Sequence, residues 1–531
     1  MSLGQLTTKT RKMKKVTYIF LTALAVSFTA CDINNDLDEV PEAVVVLEDP
    51  NPGTADFSNF VSIGASFTAG FSDNAVFLAA QSQSFPAIMA RQMAAMGGGD
   101  FTQPLVNDNV GGLLLFGAPV LDPVTGANRF APRLFFNGSG PQTLPETSTT
   151  EISNILTGPF NNYGVPGAKS FHMVAPGYGN LANLAVGAAN PYFVRMASSP
   201  NATVLGDAAA QSPTFFTISE IGGNDVLGYA ISGGTGVVQT GNPDPSTYGP
   251  NDITDPGVFT QVFGSMVQTL TANGAKGAVV TVPSIVNLPF FTTVPYNAIP
   301  LDQATADLLN GGFAAYNGGL QQVYGLLVQQ QVIDQATADA EIAQRTINFA
   351  AGQNAVTIVD EDLRDLSGFG LPNYRQATEE DFLVLTSSGV LGTVVGGNPT
   401  QINGLSVPLE DQWVLTPQEQ NNIETATNAY NAAITNIGTA NGLVVVDLNA
   451  ILTQAATTGV QFDEFTMTTS LVFGGLVSLD GIHLTSRGYA LMAKAILEAI
   501  DDPNTGYGSN FKDSGNLPKA NNYPTNYPPG I

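Results

Sequence analysis

From Asn59 onward, short β-branched apolar runs alternate with stretches of helical period. FVSIG (60–64) reads as a buried strand. TFFTISEIG (214–222), AVVTVPSIV (278–286), AVTIVD (355–360) and LVVVDL (443–448) repeat the pattern. Ile88, Met89, Gln92, Met93 and Met96 keep helical spacing over 86–96, and Gly97 to Gly99 end it. Thr416-Pro417-Gln418-Glu419 is a capping box with proline at the first helical position. Ile423, Ala426, Tyr430, Ile434 and Ile437 then mark one apolar face, and a last helix is expected over 487–500. Continuous apolar strands alternating with amphipathic helices predict an α/β fold with a parallel sheet covered on both faces.

Two stretches exceed a minimal α/β unit. Residues 101–160 are rich in Gly, Pro and Asn, and 287–416 hold a helical stretch (302–350) and a long irregular segment. Both read as insertions on one domain spanning 57–502, placed to cover a site at the carboxyl edge of the sheet. The tail, 503–531, is rich in Pro, Asn and Tyr and is expected to be flexible and loosely attached.

The first 31 residues read as an address. Lys9, Arg11, Lys12, Lys14 and Lys15 precede an apolar run over 16–29, then Ala30 and Cys31. That is a signal peptide ending in a lipobox cysteine, although Phe28 stands where Leu is commonest. Cys31 is the chain's one cysteine, so an internal disulfide is excluded. A lipid on Cys31 would hold an exported protein on a membrane, in the cell envelope at the outer membrane, without spanning it. The acidic segment 32–56, with three prolines, reads as a tether.

Composition narrows the partners. Hydrophobic residues make up 44% of the 531 residues, which supports a sizeable core. The formal charge is -26, and past Cys31 the chain keeps 13 basic against 44 acidic residues. Such a surface repels phosphate backbones, so a nucleic-acid partner is not expected. A small-molecule, lipid or glycan partner fits better, and a monomer is expected. Zinc-ligand spacing is missing and no cofactor is expected; Asp and Asn clusters such as ITDPG or EDP could bind calcium, although none has the EF-hand pattern.

Four segments, in chain order, carry candidate chemistry. Ser66 follows strand FVSIG in Gly64-Ala65-Ser66-Phe67, where a tight turn exposes a hydroxyl and a backbone N–H. Gly167 ends Asn162-Tyr163-Gly164-Val165-Pro166-Gly167, and its backbone can approach a substrate closely. Asn224 in Gly222-Gly223-Asn224-Asp225 offers a side-chain amide to a developing oxyanion. Asp480 lies three residues before His483, close enough for a local turn to bring its carboxylate to the ring. His172 and His483 are the two histidines, and a proton-relay serine hydrolase needs one, as base and then acid. His172 is expected to be structural. Phe290 and Phe291 are candidates for an acyl pocket in a set of phenylalanines otherwise assigned to packing.

In these blocks the chain resembles the SGNH hydrolases, also called GDSL lipases and esterases. Ser66 matches the first block, Gly167 in NYGVPGA the second, Asn224 in GGND the third, and Asp480 and His483 in DGIHLTSRGY the last. The resemblance covers about 57–502. It implies a flavodoxin-like, three-layer α/β/α sandwich with a five-stranded parallel sheet. It also implies a Ser66–His483–Asp480 triad and an oxyanion hole made by the N–H of Ser66, the N–H of Gly167 and the amide of Asn224. The Asp of the GDSL signature is Ala65 here and its Leu is Phe67. That departure, with the large insertions, motivates a second reading: a surface lipoprotein using a degenerate hydrolase scaffold as a binding or structural module.

Overall fold

Five short runs come together as one parallel sheet in the computed structural model, which describes residues 46–123 and 125–531. The signal segment, Cys31 and most of the expected tether lie outside the described residues. The strands are β1 (Phe60–Gly64), β2 (Asn162–Gly164), β3 (Phe215–Ser219), β4 (Lys276–Val280) and β5 (Val444–Val446), in the order β5-β4-β3-β1-β2. Every neighbouring pair is parallel. All residues of β1 and β3 are buried, as strands covered on both faces must be. The chain reverses its direction of travel across the sheet between β1 and β3. In an open α/β sheet, the crevice at the carboxyl ends of two such strands is where ligands bind.

The longer helices are α1 (Phe85–Met93), α2 (Gly223–Ile231), α3 (Pro256–Thr271), α4 (Gln303–Gln329), α5 (Gln335–Arg345), α6 (Pro417–Ala440), α7 (Leu448–Thr457) and α8 (Ser486–Asp501), of which α4 and α5 lie in the second insertion and the others flank the sheet. α1 packs on α8, while α2 and α3 pack on α6. Thr485 caps α8 through the Gly488 N–H at 3.0 Å, and Thr416 with Glu419 forms the expected capping box of α6. The arrangement is compatible with the expected three-layer sandwich. Among the described residues, no helix is long and apolar enough to cross a membrane.

Two strand assignments differ from expectation. AVTIVD supplies Thr357–Val359, which pairs antiparallel with Tyr374–Gln376 inside the 287–416 insertion, not with the central sheet. The fifth central strand is instead Asn162–Gly164, at the sheet edge. It is short and has no β-branched residue, so periodicity does not reveal it. Its fit is local. A Cβ on Gly164 would lie 2.2 Å from the Ala69 nitrogen, so glycine lets this strand press against the turn after β1.

The first insertion packs against the main body, with Phe160 in the main core and Val106 beside Ala69 and Val76, while the second builds cores of its own. Within 101–160, two-stranded ribbons pair Leu114–Leu115 with Ala118–Pro119 and Leu134–Phe136 with Pro141–Thr143. The second insertion has its own small cores, one built by Leu309, Phe313, Leu320 and Tyr324 with Phe349, another by Val356, Ile358, Leu383 and Leu409.

The tail is not loosely attached. Tyr507, Phe511, Tyr523 and Tyr527 are buried, and the Tyr507 hydroxyl donates to the Gly277 carbonyl at 2.7 Å. Buried Arg133 donates to the carbonyls of Tyr527 and Pro528 at 2.8 and 2.9 Å. The Pro- and Asn-rich composition conceals these aromatic anchors, whose burial outweighs it. The last residues of the expected tether are held as well: the N–H of Glu48 donates to Asp513 O and that of Thr54 to Tyr507 O.

Candidate active site

β1 delivers Ser66 at its carboxyl end, where Ser66–Ala69 forms a single helical turn. Ser66 is 8% exposed. A Cβ on Gly64 would sit 2.0 Å from Thr68 Oγ1 and 2.7 Å from Glu220 Oε1, so this turn requires glycine. The backbone around Ser66 is held from β3. Glu220 Oε1 accepts the N–H of Ala65 at 2.6 Å and that of Thr68 at 2.9 Å. β2 adds a third tie: Asn162 Nδ2 donates to the Thr68 carbonyl at 2.8 Å. Burial pushes the Glu220 carboxyl up to about 7 against these hydrogen bonds.

β3 leads through Gly222 (φ +107°) into α2, whose first turn carries Asn224. The Asn224 amide donates to the Ala168 carbonyl at 3.0 Å. The next residue, Asp225, accepts the N–H and hydroxyl of Ser170 at 2.8 and 2.6 Å. The second and third blocks are thereby tied side by side.

The fourth block closes on itself. Asp480 Oδ2 lies 2.9 Å from His483 Nδ1 and accepts the Asn74 N–H at 2.8 Å. Asp480 Oδ1 accepts the N–H groups of Ile482 and His483, each at 2.8 Å, and the Ser478 hydroxyl at 3.1 Å. Burial alone pushes this carboxyl up. The His483 ring and the N–H donors overcome it and hold Asp480 well below the usual carboxylate range. The His483 ring packs against Phe71, with centroids 4.3 Å apart. Asp73 backs the loop: its Oδ1 accepts the Leu479 N–H at 3.0 Å, and burial pushes its carboxyl up to about 7.

Ser66, Asn224 and His483 line one cleft, with Glu220 at its base and Leu227, Pro283, Ile285 and Leu288 as apolar wall. Ser66 Oγ and His483 share the cleft without a hydrogen bond between them. Gly167 is left-handed (φ +78°) and exposed, and faces a different, larger groove with Lys169, Phe171, Tyr178 and Tyr248. It joins the cleft through its neighbour Ala168, the residue Asn224 binds. Phe290 and Phe291 are core residues; Phe290 donates its N–H to the Gly481 carbonyl at 3.1 Å and so braces the His483 loop. His172 is structural: its Nδ1 accepts the Lys169 N–H at 3.0 Å, its ring stacks on Tyr178, and burial pushes it down to about 4.

Sequence reasoning missed Glu220, Asp73, Asn74 and Ser478. One signal was available for Glu220, an acid at the end of an otherwise apolar strand run. The chain matches no known protein-family model, no curated protein and no solved structure.

Proposed function

We propose that this protein is a serine ester hydrolase of the SGNH/GDSL type. The observation that carries the reading is the Asp480–His483 pair, at 2.9 Å, whose His483 ring lines one cleft with Ser66 and Asn224. In this reading Ser66 Oγ attacks the ester carbonyl as His483 Nε2 takes its proton. Asp480 orients the ring through Nδ1 and balances the imidazolium. The N–H of Ser66, the amide of Asn224 and the N–H of Gly167 receive the oxyanion, Asn224 and Gly167 turning toward it when substrate binds. His483 then protonates the leaving alcohol, and water hydrolyses the acyl-enzyme. The wall of Leu227, Pro283, Ile285 and Leu288 suits a short acyl group, and the groove beside Gly167 suits the alcohol part.

The test is hydrolysis of p-nitrophenyl acetate, butyrate and octanoate by wild type and Ser66→Ala. Expected is loss of turnover in the variant, with fluorophosphonate labelling that disappears in Ser66→Ala and weakens in His483→Ala. Equal rates in wild type and variant would sink the assignment and favour the degenerate-scaffold reading.

We further propose that Cys31 carries the lipid that holds the enzyme in the cell envelope, on the strength of the basic, apolar and small-residue order before it. Cys31→Ala is expected to move the protein from the membrane to the soluble fraction.

A further inference from the structure

α2 runs outward from Asn224 and ends at Ile231, where the chain turns through left-handed Gly233 and Gly234. Three carboxylates gather at this turn. Glu361 comes from the 287–416 insertion, Asp411 from its far end, and Glu419 from the first turn of α6. One oxygen of each lies within 4.8 Å of the others. The glycines make the room. A Cβ on Gly233 would fall 2.0 Å from the Asp411 carbonyl oxygen, and one on Gly234 would fall 1.6 Å from Glu419 Oε1.

Glu419 does more than cap a helix. Its Oε2 accepts the Thr416 N–H at 2.7 Å, which completes the capping box. Its Oε1 is buried with no hydrogen-bond partner, in a residue 2% exposed. Asp411 Oδ1 is a second buried carboxylate oxygen without a partner. Among the described residues, no Lys or Arg pairs with any of the three; nearby Arg375 is taken by Asp360 and Asp381. A buried carboxylate oxygen without a donor is costly, more so when charged. Burial and mutual repulsion accordingly push Asp411 and Glu419 well above the usual carboxylate range. A cation between the three would remove both the orphaned oxygens and the repulsion.

We propose that Glu361, Asp411 and Glu419 bind a calcium ion that fastens the end of the Asn224 helix to the 287–416 insertion and to the start of α6. All-oxygen, carboxylate-rich donors select hard cations over zinc or copper. Oxygens on opposite sides of a calcium ion stand about 5 Å apart at most, which the cluster's spacing accommodates. Water and backbone carbonyls would complete the shell. The site lies apart from the esterase cleft, so the proposal stands or falls independently of that activity.

The test uses chelator-treated protein titrated with calcium chloride, followed by calorimetry and thermal unfolding, and with terbium read through the emission it draws from excited Trp413. Trp413 is the one tryptophan in the chain and lies two residues from Asp411. Expected are one bound calcium per chain, a raised Tm that EDTA reverses, and weaker binding of magnesium. Glu361→Gln, at an exposed position, is expected to weaken calcium and terbium binding at least about tenfold while the metal-free variant stays folded. Two outcomes overturn the proposal. One is a Tm indifferent to calcium with no binding heat, which would leave shared protons as what holds the carboxyls together. The other is calcium binding undiminished in Glu361→Gln.

Discussion

Asp480 and Glu220 are two buried acids beside one cleft, 9% and 5% exposed, and their carboxyls are shifted in opposite directions. Asp480 receives five donors spread over both oxygens, one of them the His483 ring. Glu220 receives two backbone N–H groups on one oxygen and has the Ser219 and Thr68 hydroxyls beside it, with no imidazole ring opposite. Burial raises both; only at Asp480 do the His483 ring and the backbone donors reverse it. The contrast puts charge where the proposed chemistry needs it. An ionised carboxylate stands behind the imidazole, which becomes positive. A carboxyl that burial makes more reluctant to ionise supports the serine turn, beside the place where negative charge develops. Ala65 sharpens the point: the side chain there carries no acid, and its N–H is bound by an acid from β3 instead.

The largest effect should come from neutralising the charged member. Asp480→Asn keeps the shape but presents an amide to His483 and removes the counter-charge. Its kcat/KM for p-nitrophenyl butyrate is expected to fall roughly 10³–10⁴-fold. A loss below tenfold would break the comparison at its stronger half. Glu220→Ala comes next. It strips the acceptor from two buried N–H groups, at about 1–3 kcal/mol each, and loosens the turn that carries Ser66. The expected readouts are a lowered denaturant midpoint and a kcat reduced more than KM is changed.

Glu220→Gln is gentler and tests the charge state directly. Glu220 has a folded value near 7 against an ordinary 4.5. Between these values the folded state holds a proton that the unfolded state lacks. Stability from this group therefore falls as pH rises from about 4.5 to about 7, by at most about 1.4 kcal/mol per unit, and stays low above. Glutamine is permanently neutral. The variant is expected to match wild type at pH 4.5 and to exceed it by about 1–3 kcal/mol at pH 8 in urea unfolding. Asp480 has the opposite sign: its contribution is full above its ordinary 3.8 and is lost only as pH falls through its lowered value. Parallel stability profiles for wild type and Glu220→Gln between pH 4.5 and 8 would show that Glu220 is charged like Asp480.

What was legible in the sequence follows from how far each interaction reaches. β1, β3, β4 and β5 are continuous apolar runs and announce themselves. Asn162–Gly164 does not, because its place depends on contact with the Ser66 turn about 100 residues earlier. AVTIVD has the same local pattern as the core strands, and nothing within it tells an insertion hairpin from a central strand. The Asp480–His483 pair was legible because three residues of spacing suffice to make it. Glu220 reaches Ala65 across 155 residues and Asn74 reaches Asp480 across 406, distances at which spacing carries no information. Glu419 was legible only as a cap; its second oxygen acquires meaning once Glu361 and Asp411 stand beside it.

The smallest expected effect tests whether the five donors to Asp480 act as a set. Ser478 is buried; its hydroxyl donates to Asp480 Oδ1 at 3.1 Å and accepts the Asp73 N–H at 3.0 Å. Ser478→Ala leaves four donors on Asp480, enough to keep it ionised. The expected loss is about 1–2 kcal/mol of stability and several-fold in kcat, with KM unchanged. The decisive measurement is the same substitution in the Asp480→Asn background. If Ser478 acts through the carboxylate, the double variant turns over at nearly the rate of Asp480→Asn alone, because groups that work as a unit are lost together. An equal fold-loss in both backgrounds would mean that Ser478 serves the loop through Asp73 alone. The contrast between the two acids would then rest on backbone donors and the His483 ring, without the hydroxyl.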